Sequence, residues 1–262
     1  MAVSRTVPPA RRRAWLLVER NAMVYRHDWA VLASGCVEPL LYLFSIGVGV
    51  ARLVGSIEVA GREVSYPMFI APALLAASAM NGAIADTTYN MFFKLRYAKL
   101  YDAVLATPMR PLDVAMGEVL WALLHCALYA VAFLVAMLAL GLVASWWAVL
   151  VVPAAVLIGF SFAALGVAGT TLMRSWQDFE FVNLAVLPMF LLSATFFPLS
   201  AYPPAGQLVV QLTPLYHGVA LVRGLTLGTV GWHHLVSVGY LVALGCLGVM
   251  LASRRIGRRL LR

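Results

Sequence analysis

The residues of this chain that could do chemistry are few, and their spacing excludes more reactions than it supports. Only two lysines occur, Lys94 and Lys99, and neither follows a glycine. A loop that cradles nucleotide phosphates ends in Gly-Lys-Ser/Thr, because glycines let backbone N–H groups approach and the lysine reaches the terminal phosphates. That loop is absent, so any ATP that powers this chain must be hydrolysed by another protein. Gly159-Phe160-Ser161-Phe162-Ala163 begins like the sharp turn of a nucleophilic serine, yet it lacks the second glycine and lies inside an apolar run. Gly47 and Gly49 open a dinucleotide-binding spacing, but Arg52 stands where the third glycine belongs. Both read as close-packing glycines. His233 and His234 adjoin, with His217 upstream, and no cysteine or carboxylate flanks them at ligand spacing. Cys36, Cys126 and Cys246 lie in apolar runs and are odd in number, so no disulfide framework or zinc pattern follows. No catalytic residue, metal site or cofactor is expected in the chain itself.

The remaining candidates are ionisable side chains within or beside apolar runs. Glu38 sits in mid-run, directly before Pro39. A charged residue at the centre of a membrane helix costs about 2.5 to 3.5 kcal/mol, while each Leu or Val returns about 0.3 to 0.6. Glu38 should therefore face a partner helix, a water-filled path or polar contacts of the outer leaflet. It is a candidate for the substrate path, with a structural hydrogen bond as the competing reading. Asp86, Glu118 and Arg223 lie near the ends of apolar runs and read as solvated at the interface. His125, beside Cys126, reads as a satisfied interior histidine. Gly159, Ala163, Gly166 and Gly169 recur at a spacing that lets helices approach closely.

The elements that must position these residues are membrane helices. Of 262 residues 63% are hydrophobic and 11% charged, with a mean hydropathy of +0.89; soluble domains carry about 25% charged residues. The apolar residues come in blocks long enough to cross a bilayer, which takes about 20 residues each. The pattern predicts an all-α membrane protein with spans at residues 29–50, 66–87, 118–142, 146–173, 181–197 and 234–252. Residues 10–28 read as an interfacial helix, with Trp15, Val18, Ala22, Tyr25 and Trp29 as one stripe; Leu17 and Val24 fall on its polar side, which leaves a plain cytoplasmic lead-in helix as the competing reading. Pro198, Pro203, Pro204, Gly206, Pro214 and Gly218 break residues 198–230 into two short re-entrant helices at the outer face. Residues 1–262 make one transmembrane domain, with no soluble domain and no repeat. Arg11, Arg12 and Arg13 resemble a signal-peptide start, but Glu19, Arg20 and Asn21 interrupt the apolar stretch that follows, so cleavage is not expected.

The net charge of +8 follows the same logic. In the six-span reading 16 of the 19 Lys and Arg residues fall on one side, leaving Arg52, Arg62 and Arg223 on the other. That imbalance places both termini in the cytoplasm. The basic residues sit in short stretches between apolar blocks, which marks them as orientation signals near anionic lipids rather than a nucleic-acid surface.

The sequence resembles the membrane subunit of ABC-2 type exporters, in the branch that includes the permease for lipo-oligosaccharide nodulation factors. The run EPLLYLFSIGVG from Glu38, FIAPALLAASAM from Phe69, and YDAVLATPM from Tyr101 with Gly117-Glu118 carry the resemblance. So do FFPL from Phe196, PLYH from Pro214 and LVRG from Leu221, in family order. The resemblance implies a type V exporter-like fold, a dimer of this chain or of two similar subunits, and two copies of a cytoplasmic ABC ATPase holding ATP and Mg. It implies that residues 97–112 dock into the ATPase, with residues 174–180 as a second contact. The coupling candidates are then Lys94, Arg96, Tyr97, Lys99, Tyr101, Asp102, Arg110, Arg174, Gln177 and Asp178. The substrate-path candidates are Glu38, Phe196, Phe197, Tyr216 and Arg223. The implied substrate is a glycolipid, oligosaccharide or amphipathic drug leaving across a bacterial inner membrane. A secondary transporter or channel is the alternative, and it would need an ordered set of deep ionisable sites, of which Glu38 alone is read as deep. A membrane enzyme would need clustered polar groups at one interface, which the sequence lacks.

Overall fold

The computed structural model describes residues 10–25, 37, 39–46, 49–59 and 61–260. Glu38 lies outside them. Helix α1 (Ala10–Tyr25) leads into α2 (residues 39–46) and the short α3 (Ala51–Val54). A β-hairpin follows, β1 (Ser56–Val59) pairing antiparallel with β2 (Arg62–Ser65), Ile57 opposite Val64. The all-α reading treats this stretch as the connection between its first two spans. The alternation of apolar and polar residues in Ser-Ile-Glu-Val and Arg-Glu-Val-Ser, with Gly61 at φ +75 in the turn, makes it a hairpin instead.

Helix α4 (Tyr66–Ala85) continues through a π-helical turn at Asp86–Asn90 into α5 (Met91–Arg96), and α6 (Leu100–Leu105) follows. Then come α7 (Pro111–Ala139), α8 (Val151–Thr170), α9 (Phe179–Leu191), α10 (Pro204–Leu212), α11 (Pro214–Leu227) and α12 (His233–Leu260). Among the described residues four segments are long and apolar enough to cross a membrane: Tyr66–Arg96, Pro111–Ala139, Trp146–Thr170 and His233–Arg255. Helices α10 and α11 meet at 89° and pass the same test together.

Boundaries shift from the sequence reading for physical reasons. The third span starts at Pro111 rather than near Glu118, because Pro at the first helical position costs no hydrogen bond and Asp113 caps the first turn by accepting from Arg110 N at 2.9 Å. The second runs on past residue 87 to Arg96, since the π turn absorbs Asp86 without ending the helix. Helix α9, expected to span at 181–197, has 13 residues; at 1.5 Å per residue that is about 20 Å, short of a bilayer core.

Helix α8 is the hub, packed against α4, α7, α11 and α12. Its glycines make the approach possible: a methyl at Gly159 would overlap Cys126, and one at Gly166 would overlap Thr87. Thr170 Oγ1 donates to Thr87 O at 2.7 Å, supplying a partner to a carbonyl in the π turn. Helix α1 lies along α7, and here the predicted stripe is corrected. Ala14, Leu17, Val18 and Asn21 are buried, Leu17 against Gly117, while Trp15 and Ala22 are exposed. In a membrane the outward face is also apolar, so apolarity does not mark the packed side.

Candidate functional site

Two features stand out, a buried polar network at the basic end and a cleft along α4. The network gathers residues from four elements. Lys94 Nζ lies 2.7 Å from Glu118 Oε2, and Tyr101 Oη donates to Glu118 Oε1 at 2.8 Å. All three side chains are buried. Burial, then the neighbouring Glu118 carboxylate, pushes the Tyr101 phenol well above its usual range, so it stays a donor. One turn earlier, Arg13 of α1 pairs with Asp113 at 2.9 Å. Helices α1, α5 and α6 are thus each tied by a buried polar contact to the start of α7.

The two segments expected to contact an ATPase are brought together on this end. Tyr97 and Trp176 lie with ring centroids 6.2 Å apart, and Phe92 packs edge-on to Trp176 at 5.6 Å. Arg96 donates to Met173 O at 3.3 Å. Arg96, Tyr97, Lys99, Arg110, Arg174 and Gln177 are exposed there, and Lys99 holds a left-handed φ of 45 just before α6. Asp178 accepts from the backbone N–H groups of Arg174 at 2.6 Å and Ser175 at 3.1 Å, which lowers its pKa and closes the turn into α9. Lys94 and Tyr101 belong to the interior rather than to this surface. The Asp102 side chain lies outside the described set.

The cleft has a volume of about 1170 Å³ and is walled by α2, α4 with its π turn, and α9. From α4 the lining residues recur every three or four positions, the stripe of one helix face: Ser78, Asn81, Asp86 and Asn90 carry its polar groups. Phe181, Leu184, Leu187 and Phe190 of α9 form the facing apolar wall, and Pro39 and Tyr42 the third side. Tyr89 reaches across to Asn183, 3.4 Å between Oη and Oδ1.

Asp86 is the deepest carboxylate on that face. Its Oδ2 lies 2.7 Å from His125 Nδ1, and its Oδ1 accepts from Asn90 Nδ2 at 3.1 Å. A carboxylate only accepts, so Nδ1 carries the proton. Asp86 is ten residues before Arg96, about 15 Å along the helix, so it lies well inside the Tyr66–Arg96 span. The sequence reading placed Asp86 and Glu118 at solvated span ends, whereas both are partnered within the bundle.

Arg223 is likewise held inside. Its guanidinium lies 3.8 Å over the Phe69 ring, Nε donates to Phe69 O at 3.2 Å, and a terminal nitrogen donates to Ala194 O at 3.0 Å. It ties α11 to α4 and to the segment before α10, where Ala194 takes a φ of 53. Phe196 packs edge-on to Phe190 at 5.2 Å, Phe197 is exposed, and Tyr216 lies half-buried against His217. Tyr216 and Arg223 belong to α11, Phe196 and Phe197 precede α10, and the cleft lining includes none of the four. His125 is the satisfied interior histidine the sequence suggested, buried and held by Asp86; the Arg13–Asp113 pair was missed, because its members lie far apart in sequence.

Comparison with known proteins agrees with this architecture. The family model for the ABC-2 type transporter matches residues 12–227. Nodulation protein J of Rhizobium leguminosarum bv. trifolii is 34% identical over 265 residues, covering 98% of both chains. The Rhizobium meliloti (strain 1021) Nodulation protein J is 30% identical over 257 residues, 97% of this chain and 96% of that one. Nodulation protein J of Bradyrhizobium diazoefficiens is 31% identical over 261 residues, 98% of each. With most of its length matched and several apolar helices built for a bilayer, this chain belongs to the ABC-2 type transporter family as a multi-pass membrane permease.

Proposed function

We propose that the chain is the membrane subunit of an ATP-driven exporter in a bacterial inner membrane, moving a glycolipid-like or otherwise amphipathic substrate outward. The observation that carries this reading is the two-sided cleft. Helix α4 with its π turn offers amide, hydroxyl and carboxylate groups, and α9 offers mainly phenylalanine and leucine side chains, with Glu180 and Asn183 toward its start. A polar headgroup and a hydrocarbon tail are satisfied together in such a space, and a wholly polar or wholly apolar solute is not. A second copy of the chain, or a similar permease, closes the open side.

The basic end supplies the drive. Two copies of a separate cytoplasmic ABC ATPase, which hold the ATP and Mg, dock on the exposed Arg96, Tyr97, Lys99, Arg110 and Arg174 surface. Closure of the ATPase pair shifts α6, and the Tyr101–Glu118–Lys94 contacts pass that shift to α7. Transport is then a population shift between two packings of the dimer. Glu38 remains a path candidate on its sequence position before Pro39, a cleft residue.

A proton-driven secondary transporter is the second reading, favoured by the deep Asp86–His125 pair. Purification of the full chain together with a neighbouring ATPase distinguishes them. The expected result is a complex with two copies of each subunit that hydrolyses ATP; failure of every neighbouring ATPase to associate counts against the exporter reading.

A further inference from the structure

The ionisable groups that line the cleft are of one sign. Asp86 and Glu180 contribute carboxylates, and among the described residues the lining includes no lysine, arginine or histidine. His125 stands behind Asp86, outside the lining. Glu180 opens α9, so it lies at the basic end of the cleft, and Asp86 lies deeper on the opposite wall. Asn90 and Asn183 line the space beside them.

We infer that the cleft selects amphiphiles with a cationic headgroup, and that Asp86 receives the positive charge. The inference rests on the reading of the cleft as substrate path. Asp86 has committed one lone pair of each oxygen to His125 and Asn90, and a carboxylate has about four acceptor positions, so it can take further donors. At membrane depth, with apolar residues on the facing wall, an ammonium group gains far more from that carboxylate than it would in water. An anionic headgroup meets two like charges and must shed its own hydration to enter. A neutral sugar is tolerated through Ser78, Asn81 and the two amides, without the charge attraction. Glu180 at the entrance and Asp86 inside form two successive stations for a positive group.

The test uses the full chain in phosphatidylcholine nanodiscs and three dansylated C12 amphiphiles that differ only in headgroup: a primary ammonium, a maltoside and a carboxylate. Binding is read as energy transfer from the protein's tryptophans, with chain-free discs subtracted. The ammonium probe is expected to bind at least about tenfold tighter than the carboxylate, a modest fraction of what one close charge pair can supply. Asp86→Asn should narrow the ratio of ammonium to maltoside affinity severalfold. Glu180→Gln, at an exposed position that the fold does not need, should narrow it less. Equal binding of all three probes, or a ratio unmoved in both variants, overturns the inference. Ser78→Trp, which obstructs the cleft, separates the two claims. Loss of all three probes in that variant keeps the cleft as the site, and undiminished binding shows that the cleft reading itself has failed.

Discussion

Lys94 and Glu118, 24 positions apart in sequence, meet at 2.7 Å in the interior, the ammonium at the end of α5 and the carboxylate on α7. Tyr101 occupies the other carboxylate oxygen at 2.8 Å. A charge buried this way is stable only while its partner is present.

Removing one partner leaves the other charge uncompensated. Lys94→Met or Glu118→Leu alone is expected to cost about 3 to 5 kcal/mol, and the double replacement much less than the sum. Denaturant titration of the purified chain in detergent checks this; additive losses would mean that the pair is not energetically coupled.

Tyr101 gives the network a pH signature. Its pKa is raised in the folded state above the ordinary value of 10.0. The stability it contributes is therefore present below pH 10 and declines as pH rises towards the folded value. Tyr101→Phe should cost about 1 kcal/mol near neutral pH and flatten the alkaline loss. Unfolding midpoints measured from pH 8 to 11 read this directly, and an unchanged alkaline slope would contradict it.

The exposed and buried basic residues should separate in their effects. Arg96→Ala with Lys99→Ala and Arg110→Ala leaves the Lys94–Glu118–Tyr101 network intact and is expected to lower co-purification of the ATPase at least fivefold, roughly 1 kcal/mol or more. Lys94→Met should instead act through stability. Retained association in the triple variant would remove this surface from the docking account.

Close approach at α8 is equally testable. Gly166→Val drives a branched side chain into Thr87 and the π turn. Overpacking of this kind costs about 1 to 3 kcal/mol. Gly169→Ala, where nothing lies within 4 Å of an added methyl, should be close to neutral in the same melting assay.

The apolar blocks, the break between α10 and α11 and the close approach at Gly159 and Gly166 could be read from the sequence because each depends on local composition, whereas Gly49 and Gly169, read the same way, have nothing within 4 Å of an added methyl. The pairing of Asp86 with His125 could not, because 39 positions separate them and the π turn resets the helical phase at Asp86 itself. Glu118 was hidden for a related reason. An acid one turn inside an apolar run looks like a span boundary unless Lys94 is known to return to it. The packed face of α1 was misjudged because lipid makes both faces apolar. The hairpin at residues 56–65 was missed because each strand is four residues long, too short for a period of two to stand out.

The central claim is that a separate motor drives amphiphile movement through the α4–α9 cleft. Proteoliposomes holding the full chain and its co-purified ATPase, loaded with the dansylated C12 ammonium, measure it directly. Movement of the probe is expected only with ATP, only with both proteins, and not with Ser78→Trp. Movement by the chain alone under a proton gradient without ATP would contradict the account.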